Sequence, residues 1–300
     1  MQRTTALFGA STVALWIVVT VFPSQGVAQP SLLSGVSGDR VFVGGAELIG
    51  SVDAQMDFWL DGAIQTAQFS DSVQRSELRD GEESLRLIWD TVFGAGEGLA
   101  FGGRFQFSYS QSSMQDRLGP DLAGVLGKFQ LGDPARPVPI ALIVGAGKEF
   151  IDSDTMLEAA VAFGFQPHDN WDVDLSPFVL FRMGTLSDTT LTGGFVVSPA
   201  WYPNDWFILV LDTSGQLAIE LETDDLSWQV DTALRAGFTV ADGHELIVGG
   251  RRTLVGGAAI EETGVFLAWR YRWTTEGGLL RLDYDGGPSP EPAEWEGSEP

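Results

Sequence analysis

The sequence predicts an all-β fold, a transmembrane antiparallel up-and-down β-barrel of 12 to 14 strands. Three observations support this prediction. Apolar and polar residues alternate over long stretches, turn-forming clusters separate these stretches at fairly even intervals, and no part of the chain keeps a helical period. The apolar runs that we count as strands lie between about residue 46 and Tyr284.

The first clear strand covers residues 48–60. Apolar or small residues take one phase, and the other phase carries Ser51, Asp53, Gln55 and Asp57, interrupted by Ile49 and Trp59. Because successive side chains of a strand point to opposite faces, this segment has one apolar and one polar face. It is longer than the usual strand of about 5 or 6 residues, and a tilted membrane strand needs about 9 to 11. The pattern therefore indicates a strand between lipid and lumen.

The same alternation returns along the chain, at 99–110, 157–165, 173–183, 228–240 and 265–273. Segment 206–222 fits either one interrupted strand or two short ones. We expect outer loops at 61–83, 111–121 and 148–155, with short periplasmic turns at the opposite end. A soluble β-sandwich buries only the inner face of each sheet, so its strands are short. Lipid covers a continuous apolar face, and closing the sheet removes its unsatisfied edges.

The two ends of the chain differ from the barrel region at 46–284. Residues 1–28 carry one charge, Arg3, and an apolar run before Ala28, which predicts a cleaved secretory signal peptide. An uncleaved helical anchor is the alternative. Residues 29–45 are expected to form an N-terminal periplasmic segment, and residues 285–300, rich in proline and glutamate, a disordered acidic tail.

The composition excludes several classes of function. The chain has no cysteine and a formal net charge of −24; loss of Arg3 with the signal peptide leaves 41 acidic against 16 basic residues, or −25. Nucleic acid is therefore not an expected partner. Two histidines and no cysteine exclude the usual zinc sites. His168 and His244 fall in predicted turns with no serine beside them, so we expect no catalytic, metal or cofactor site.

Segment 277–284 follows a glycine pair with spaced apolar residues. It resembles the terminal-strand signal that the barrel assembly machinery reads, although Leu280 and Leu282 stand where aromatic residues are usual and the segment does not end the chain. Over 46–284 the chain resembles bacterial outer-membrane β-barrels of the porin-like type. The resemblance implies an outer-membrane location in a Gram-negative cell envelope, with the lipid bilayer and the assembly machinery as partners.

Amphipathic aromatic residues cluster near the predicted strand ends. Since such rings prefer the headgroup level, we predict that they form membrane girdles, although they could also fill a sandwich core. They are Trp171, Trp201, Trp206, Trp228, Trp269, Tyr271 and Trp273.

The polar phase of the strands gives the predicted wall of the lumen. The residues that we expect to line the pore are Asp53, Asp57, Asp90, Arg104, Glu158, Arg182, Asp231, Arg235, Arg270 and Arg272. Further wall charges are Arg86, Lys128, Asp174, Glu220, Arg251 and Arg281, and small inward residues such as Ala160, Ala162, Gly164, Gly237 and Gly249 would leave room for a passage.

Two interpretations of the wall charges stay open. The charges pair and hold the strands in register, or acids of the first strand face arginines of the last strands across an aqueous constriction. The predicted function is an outer-membrane channel for passive or selective passage of small solutes, narrow because 12 to 14 strands lie between a filled 8-stranded barrel and a wide 16-stranded pore. The alternatives are a barrel with a structural or surface-interaction role, and a secreted acidic β-sandwich that binds carbohydrate. The solute and the oligomeric state do not follow from the sequence.

Overall fold

The computed structural model describes residues 53–69, 75–77, 83–96, 98–111, 116–131, 138–150, 153–184, 189–257 and 259–274. The predicted signal peptide (1–28), N-terminal segment (29–45) and acidic tail (285–300) lie outside these residues, as does the closing segment 277–284.

The described residues form strands joined by turns and loops. In chain order the strands are β1 (Asp53–Phe69), β2 (Arg75–Glu77), β3 (Glu83–Gly96), β4 (Leu99–Gln111), β5 (Asp116–Gln130), β6 (Ile140–Glu149), β7 (Thr155–His168), β8 (Trp171–Met183), β9 (Thr190–Asn204), β10 (Phe207–Glu220), β11 (Leu226–Ala241), β12 (His244–Gly257) and β13 (Ile260–Thr274).

Twelve long strands close into one antiparallel barrel. Each pairs with its neighbour along the chain, and β13 returns to pair with β1, from Asp53 opposite Thr274 to Gln68 opposite Ile260. The three-residue β2 extends the sheet beside the end of β1. The predicted barrel of 12 to 14 strands is thus confirmed at its lower limit, and the alternative of two stacked sheets is wrong. No described helix has the length and apolar content needed to span a membrane.

The strands are longer than the sequence pattern indicates. Residues 61–69, expected in the first outer loop, belong to β1, and 116–121 belong to β5. Segment 206–222 is a single strand, β10, paired with β11 from Phe207–Phe238 to Ile219–Leu226. Backbone pairing continues past the point where the alternation becomes irregular, because hydrogen bonding between strands needs no particular side chain.

The two ends of the barrel differ in their connections. At one end, which we call the turn end, connections of only two residues join the strands at 97–98, 169–170, 205–206 and 242–243, and only the connection at 131–139 is longer. At the other, the loop end, the longest connection is 70–82, which includes β2. Gly98 and Gly243 take positive φ values of 77° and 69° in two of the tight turns, a conformation that glycine adopts without steric cost.

The outward phase of the strands is apolar and exposed over most of the barrel. On β3, Leu87 is 56 % and Trp89 47 % exposed, and Phe58 on β1 stacks on Trp89 with ring centroids 5.8 Å apart. A soluble protein rarely leaves so much apolar surface uncovered, whereas lipid covers it. Arg252 on β12 is an exception on this face, and it pairs with Glu261 at 2.6 Å.

Aromatic side chains meet at the turn end, as predicted for a girdle. Pairs in contact are Trp171–Trp201, Trp206–Phe238, His244–Trp269 and His244–Tyr271, with ring centroids 4.6 to 6.5 Å apart. Trp228 lies instead near the loop end, as the third residue of β11. The side chain of Trp273 is outside the described part. The rings meet on the outer surface at the barrel end, so the alternative that they fill a sandwich core is wrong.

Candidate functional site in the barrel interior

The barrel interior collects the polar phase of every long strand. On β1, Gln55, Asp57 and Asp61 are buried while Phe58 between them is 48 % exposed on the outer surface. The two-residue period of the strand produces this division, since each step along the chain reverses the face. The interior therefore contains the charged residues that the lipid face excludes.

Asp90 and Arg104 form a central ion pair between β3 and β4. They lie directly opposite each other in the register, and Arg104 Nε and Nη2 donate to Asp90 Oδ1 and Oδ2 at 2.7 and 2.6 Å. Two parallel bonds between a guanidinium and a carboxylate fix both orientation and distance. Both side chains are buried, so the pair is shielded from the solvent screening that weakens surface ion pairs.

A second bidentate pair joins the first and last strands of the barrel. Arg270 on β13 donates from Nε and Nη2 to the carboxylate of Asp57 on β1 at 3.0 and 3.1 Å. Arg270 also lies 3.5 Å from Glu245 on β12. The charges of Asp57 and Arg270 act on Asp90, and that of Glu158 on β7 acts on Arg104. These five residues form one electrostatic network.

A third group of charges lies nearer the loop end. Arg251 on β12 contacts Asp61 on β1 and Glu262 on β13, each at 2.6 Å, and Arg86 on β3 lies 3.6 Å from Asp61. To reach β1, Arg251 passes over Gly264 of the intervening β13. A Cβ there would stand 3.4 Å from the Arg251 guanidinium carbon and 2.9 Å from the Gly62 carbonyl oxygen. Gly264 thus gives the arginine room to bridge three strands.

Two further arginines pair on other parts of the wall. Arg182 on β8 contacts Glu149 at the end of β6, and its Nε lies 3.3 Å from Asp154. Arg235 on β11 lies 3.5 Å from Asp212 on β10. All of these carboxylates are buried, which places oppositely charged partners around the circumference of the interior.

The structure places most of the predicted pore-lining residues in this wall. Buried there are Asp57, Asp90, Arg104, Glu158, Arg235 and Arg270, and half-buried are Arg182, Asp231 and Arg272. Asp53 stands opposite Thr274 in β1, and its side chain is outside the described part, as is Arg281. Of the further wall charges, Arg86, Lys128 and Asp174 are buried, and Glu220 and Arg251 are half-buried. That these residues line an open passage stays a prediction.

The geometry favours the first of the two interpretations of the wall charges. In the second interpretation Asp57 and Arg270 would face each other across a constriction, but they lie on neighbouring strands and pair side by side. The reason is closure of the barrel, which brings the first strand next to the last. Ion pairing along the wall, and not a field between opposite walls, is what joins these acids and arginines.

The small inward residues do not leave open space, contrary to expectation. A Cβ on Gly249 would lie 2.4 Å from the Phe266 ring, and one on Gly237 would lie 2.6 Å from Ile208. Ala160 and Ala162 pack with Ile143 and Val196 in a buried apolar cluster. These residues are small because larger side chains of neighbouring strands occupy the space, so the interior is more filled than the sequence indicates.

Sequence reasoning missed several members of the wall. Asp154, in the expected outer loop 148–155, and Glu262 are buried partners of Arg182 and Arg251. Glu261 is also buried, as the partner of Arg252 on the outward face. Asp61 is the first residue of the expected outer loop 61–83. Continuing the two-residue period from Asp53 through Asp57 would have placed Asp61 on the inward phase of the same strand.

The two histidines make local contacts at the turn end. His168 Nδ1 accepts a hydrogen bond from the Asn170 amide within a turn, and His244 stacks on Tyr271. Among the residues placed by the structure, no group of three or more histidine, aspartate or glutamate side chains is arranged to hold a metal ion.

No protein-family model matches the chain, and no curated protein resembles it in sequence. Its fold is similar to solved structures. An outer membrane channel from Pseudomonas putida F1 superposes with a TM-score of 0.66 and 12 % identity, covering 78 % of this chain and all of that one. The translocator domain of the autotransporter NalP from Neisseria meningitidis gives a TM-score of 0.51 and 9 % identity, covering 75 % of this chain and 90 % of that domain. At these identities the likeness concerns the fold. The chain has the fold of an outer-membrane β-barrel.

Proposed function

We propose that the protein is an outer-membrane channel that passes small polar solutes through a narrow lumen. The observation that carries this proposal is the inward phase of the strands, where buried acids and arginines pair along the wall of a closed barrel of twelve strands. A barrel of this size has a wider interior than an eight-stranded one, which side chains fill completely. A polar, charged lining favours the passage of hydrated solutes. The lining side chains narrow the lumen, so the channel can select among solutes by size.

The same proposal includes the export of the chain, its insertion and its orientation in the outer membrane. A signal peptide at 1–28 directs export, residues 29–45 lie in the periplasm, the barrel assembly machinery inserts the barrel, and the tail 285–300 is disordered. The turn end, with its short connections and aromatic ring contacts, faces the periplasm. The loop end faces outward. The likeness to an outer membrane channel from Pseudomonas putida F1 supports this placement through the fold that the two proteins share.

If the barrel is a channel, the central pair Asp90–Arg104 sets the width of its passage. Both side chains are buried, so the wall is closely packed at their level. Removing both side chains takes away one charge of each sign and widens the interior there. The double variant Asp90→Ala with Arg104→Ala is therefore expected to increase the unitary conductance.

The test is conductance of the purified barrel in a planar lipid bilayer. The wild type is expected to give small discrete steps and the double variant larger ones. Leu87→Ala, on the outward phase of the same strand, is the matched control and is expected to leave the step size unchanged. A folded barrel that carries no current in the wild type or in the double variant would contradict a channel.

One observation favours the second candidate, a barrel with a structural or surface-interaction role. The inward charges pair with neighbours along the wall and are buried, as they would be in a barrel that transports nothing. In that case the purified barrel gives no current across the planar bilayer, and the loops at the loop end make the functional contacts.

A further inference from the structure

Most inward arginines form ion pairs with carboxylates. Six of them lie 3.7 Å or less from an acidic partner, namely Arg86, Arg104, Arg182, Arg235, Arg251 and Arg270. In each pair the two charges largely cancel for any solute at a distance longer than the pair itself. The field in the lumen is therefore set by charges that have no such partner.

Three inward carboxylates are bonded to neutral groups in place of arginine or lysine. Asp121 accepts a hydrogen bond from the Gln106 amide, and Glu220 from the Thr223 hydroxyl. Asp231 on β11 is held most fully, because its carboxylate accepts from Thr253 Oγ1 at 2.7 Å and from Gln229 Nε2 at 2.8 Å. A neutral donor orients a carboxylate without cancelling its charge.

These carboxylates share one half of the barrel. Asp121 is the sixth residue of β5 from the loop end, Asp231 the sixth of β11, and Glu220 is the last residue of β10 at that end. Asp231 is only half-buried, so its charge reaches the lumen. The charges of Glu262 and Arg251 act on it with opposite signs.

An excess of fixed negative charge inside a low-dielectric wall raises the local concentration of cations and lowers that of anions. We propose that the channel favours small cations over anions and that Asp231 is a residue that determines this preference. The inference rests on the channel function proposed above, and it adds the class of solute. It concerns the loop-end half of the lumen, where cations arriving from that side are concentrated.

The test is the reversal potential of the purified barrel in a bilayer with unequal KCl concentrations at pH 8. The wild type is expected to reverse toward the potassium equilibrium potential. Asp231→Asn keeps the shape of the side chain and one of its two acceptor oxygens, and it is expected to lower the cation-to-anion permeability ratio about three- to tenfold. Asp231→Glu restores the charge and is expected to keep most of the preference.

Asp225→Asn is the matched control. It removes the same charge from the loop end but lies in the connection before β11, outside the inner wall, so the permeability ratio is expected to stay unchanged. Heat-dependent mobility on a gel verifies that each variant is folded. A current without cation preference, or an Asp231→Asn variant that reverses like the wild type, would overturn the inference and leave the channel function intact. A folded wild type without current would overturn both.

Discussion

Asp57 and Arg270 lie 213 positions apart in the sequence and form a bidentate ion pair across the line where β1 meets β13. Closure of the barrel depends on this contact between the first and last strands, since every other pair of adjacent strands is joined by a turn or loop. The pair is buried, with Arg270 fully enclosed. It therefore fixes which residues of the two distant strands face each other.

Breaking this pair on one side should weaken the closed barrel. Asp57→Ala removes the bidentate partner of the buried Arg270 guanidinium, and loss of one partner of a buried pair costs about 3–5 kcal/mol. The double variant Asp57→Leu with Arg270→Met replaces both charges by apolar groups and should cost less. Urea unfolding in detergent, followed by heat-dependent mobility on a gel, measures the difference. Equal stability of Asp57→Ala and the wild type would show that the pair does not hold the barrel closed.

The inward glycines predict a second effect, on packing inside the barrel. Gly237→Ala places a Cβ 2.6 Å from Ile208 Cγ2, and overpacking of this kind costs about 1–3 kcal/mol. Adding Ile208→Ala removes the clashing methyl and should restore part of the loss. Gly193→Ala on β9 meets nothing within 4 Å and is the control, with stability expected near that of the wild type. The idea fails if Gly237→Ala is as stable as Gly193→Ala.

A third prediction concerns the loop end and its response to pH. The Thr189 amide donates to Glu222 Oε2 at 2.8 Å, joining connections 184–189 and 221–225, and this bond lowers the pKa of the Glu222 carboxyl. A group whose pKa is lowered in the folded state stabilises that state above its usual pKa, and the effect is lost as the pH falls through the folded value. The protection factor of the Thr189 amide, which compares its exchange rate with the intrinsic rate at the same pH, should therefore be larger at pH 7 than at pH values below the Glu222 pKa.

Glu222→Gln supplies the control for this loop contact. It keeps a side-chain oxygen that can accept a hydrogen bond from the Thr189 amide, but it does not titrate. The protection factor of this amide should therefore stay constant with pH. A pH response in the variant equal to that of the wild type would assign the effect to another group.

The sequence was sufficient to predict the barrel because lipid imposes a simple rule on every second residue. Phe58, Leu87 and Trp89 all lie on the outward phase that their strands predict. The partners inside the barrel could not be predicted in the same way. Whether Asp57 meets Arg270, or Asp61 meets Arg251, depends on strand number, register and closure, and alternation along one strand contains none of these.

Positions that break the alternation also limited what could be predicted from the sequence. Trp59 breaks the polar phase of β1, yet it lies inside the barrel and packs against Phe266 at a centroid distance of 5.7 Å. An apolar side chain on the inward phase is tolerated because neighbouring strands supply apolar partners there, Ile247 among them. Residue type alone does not distinguish this tryptophan from those on the outer surface at the turn end.

The division of each strand into a lipid face and an inward face is the central claim, and one measurement tests it most directly. The chain has no cysteine, so single cysteines can be introduced at successive positions from Ser84 to Phe93 on β3 and spin-labelled in lipid vesicles. Oxygen accessibility is expected to alternate with a period of two, high at Leu85, Leu87, Trp89 and Phe93 and low at Arg86 and Asp90. Low oxygen accessibility on both phases, as in a strand packed between two protein layers, would contradict the membrane barrel.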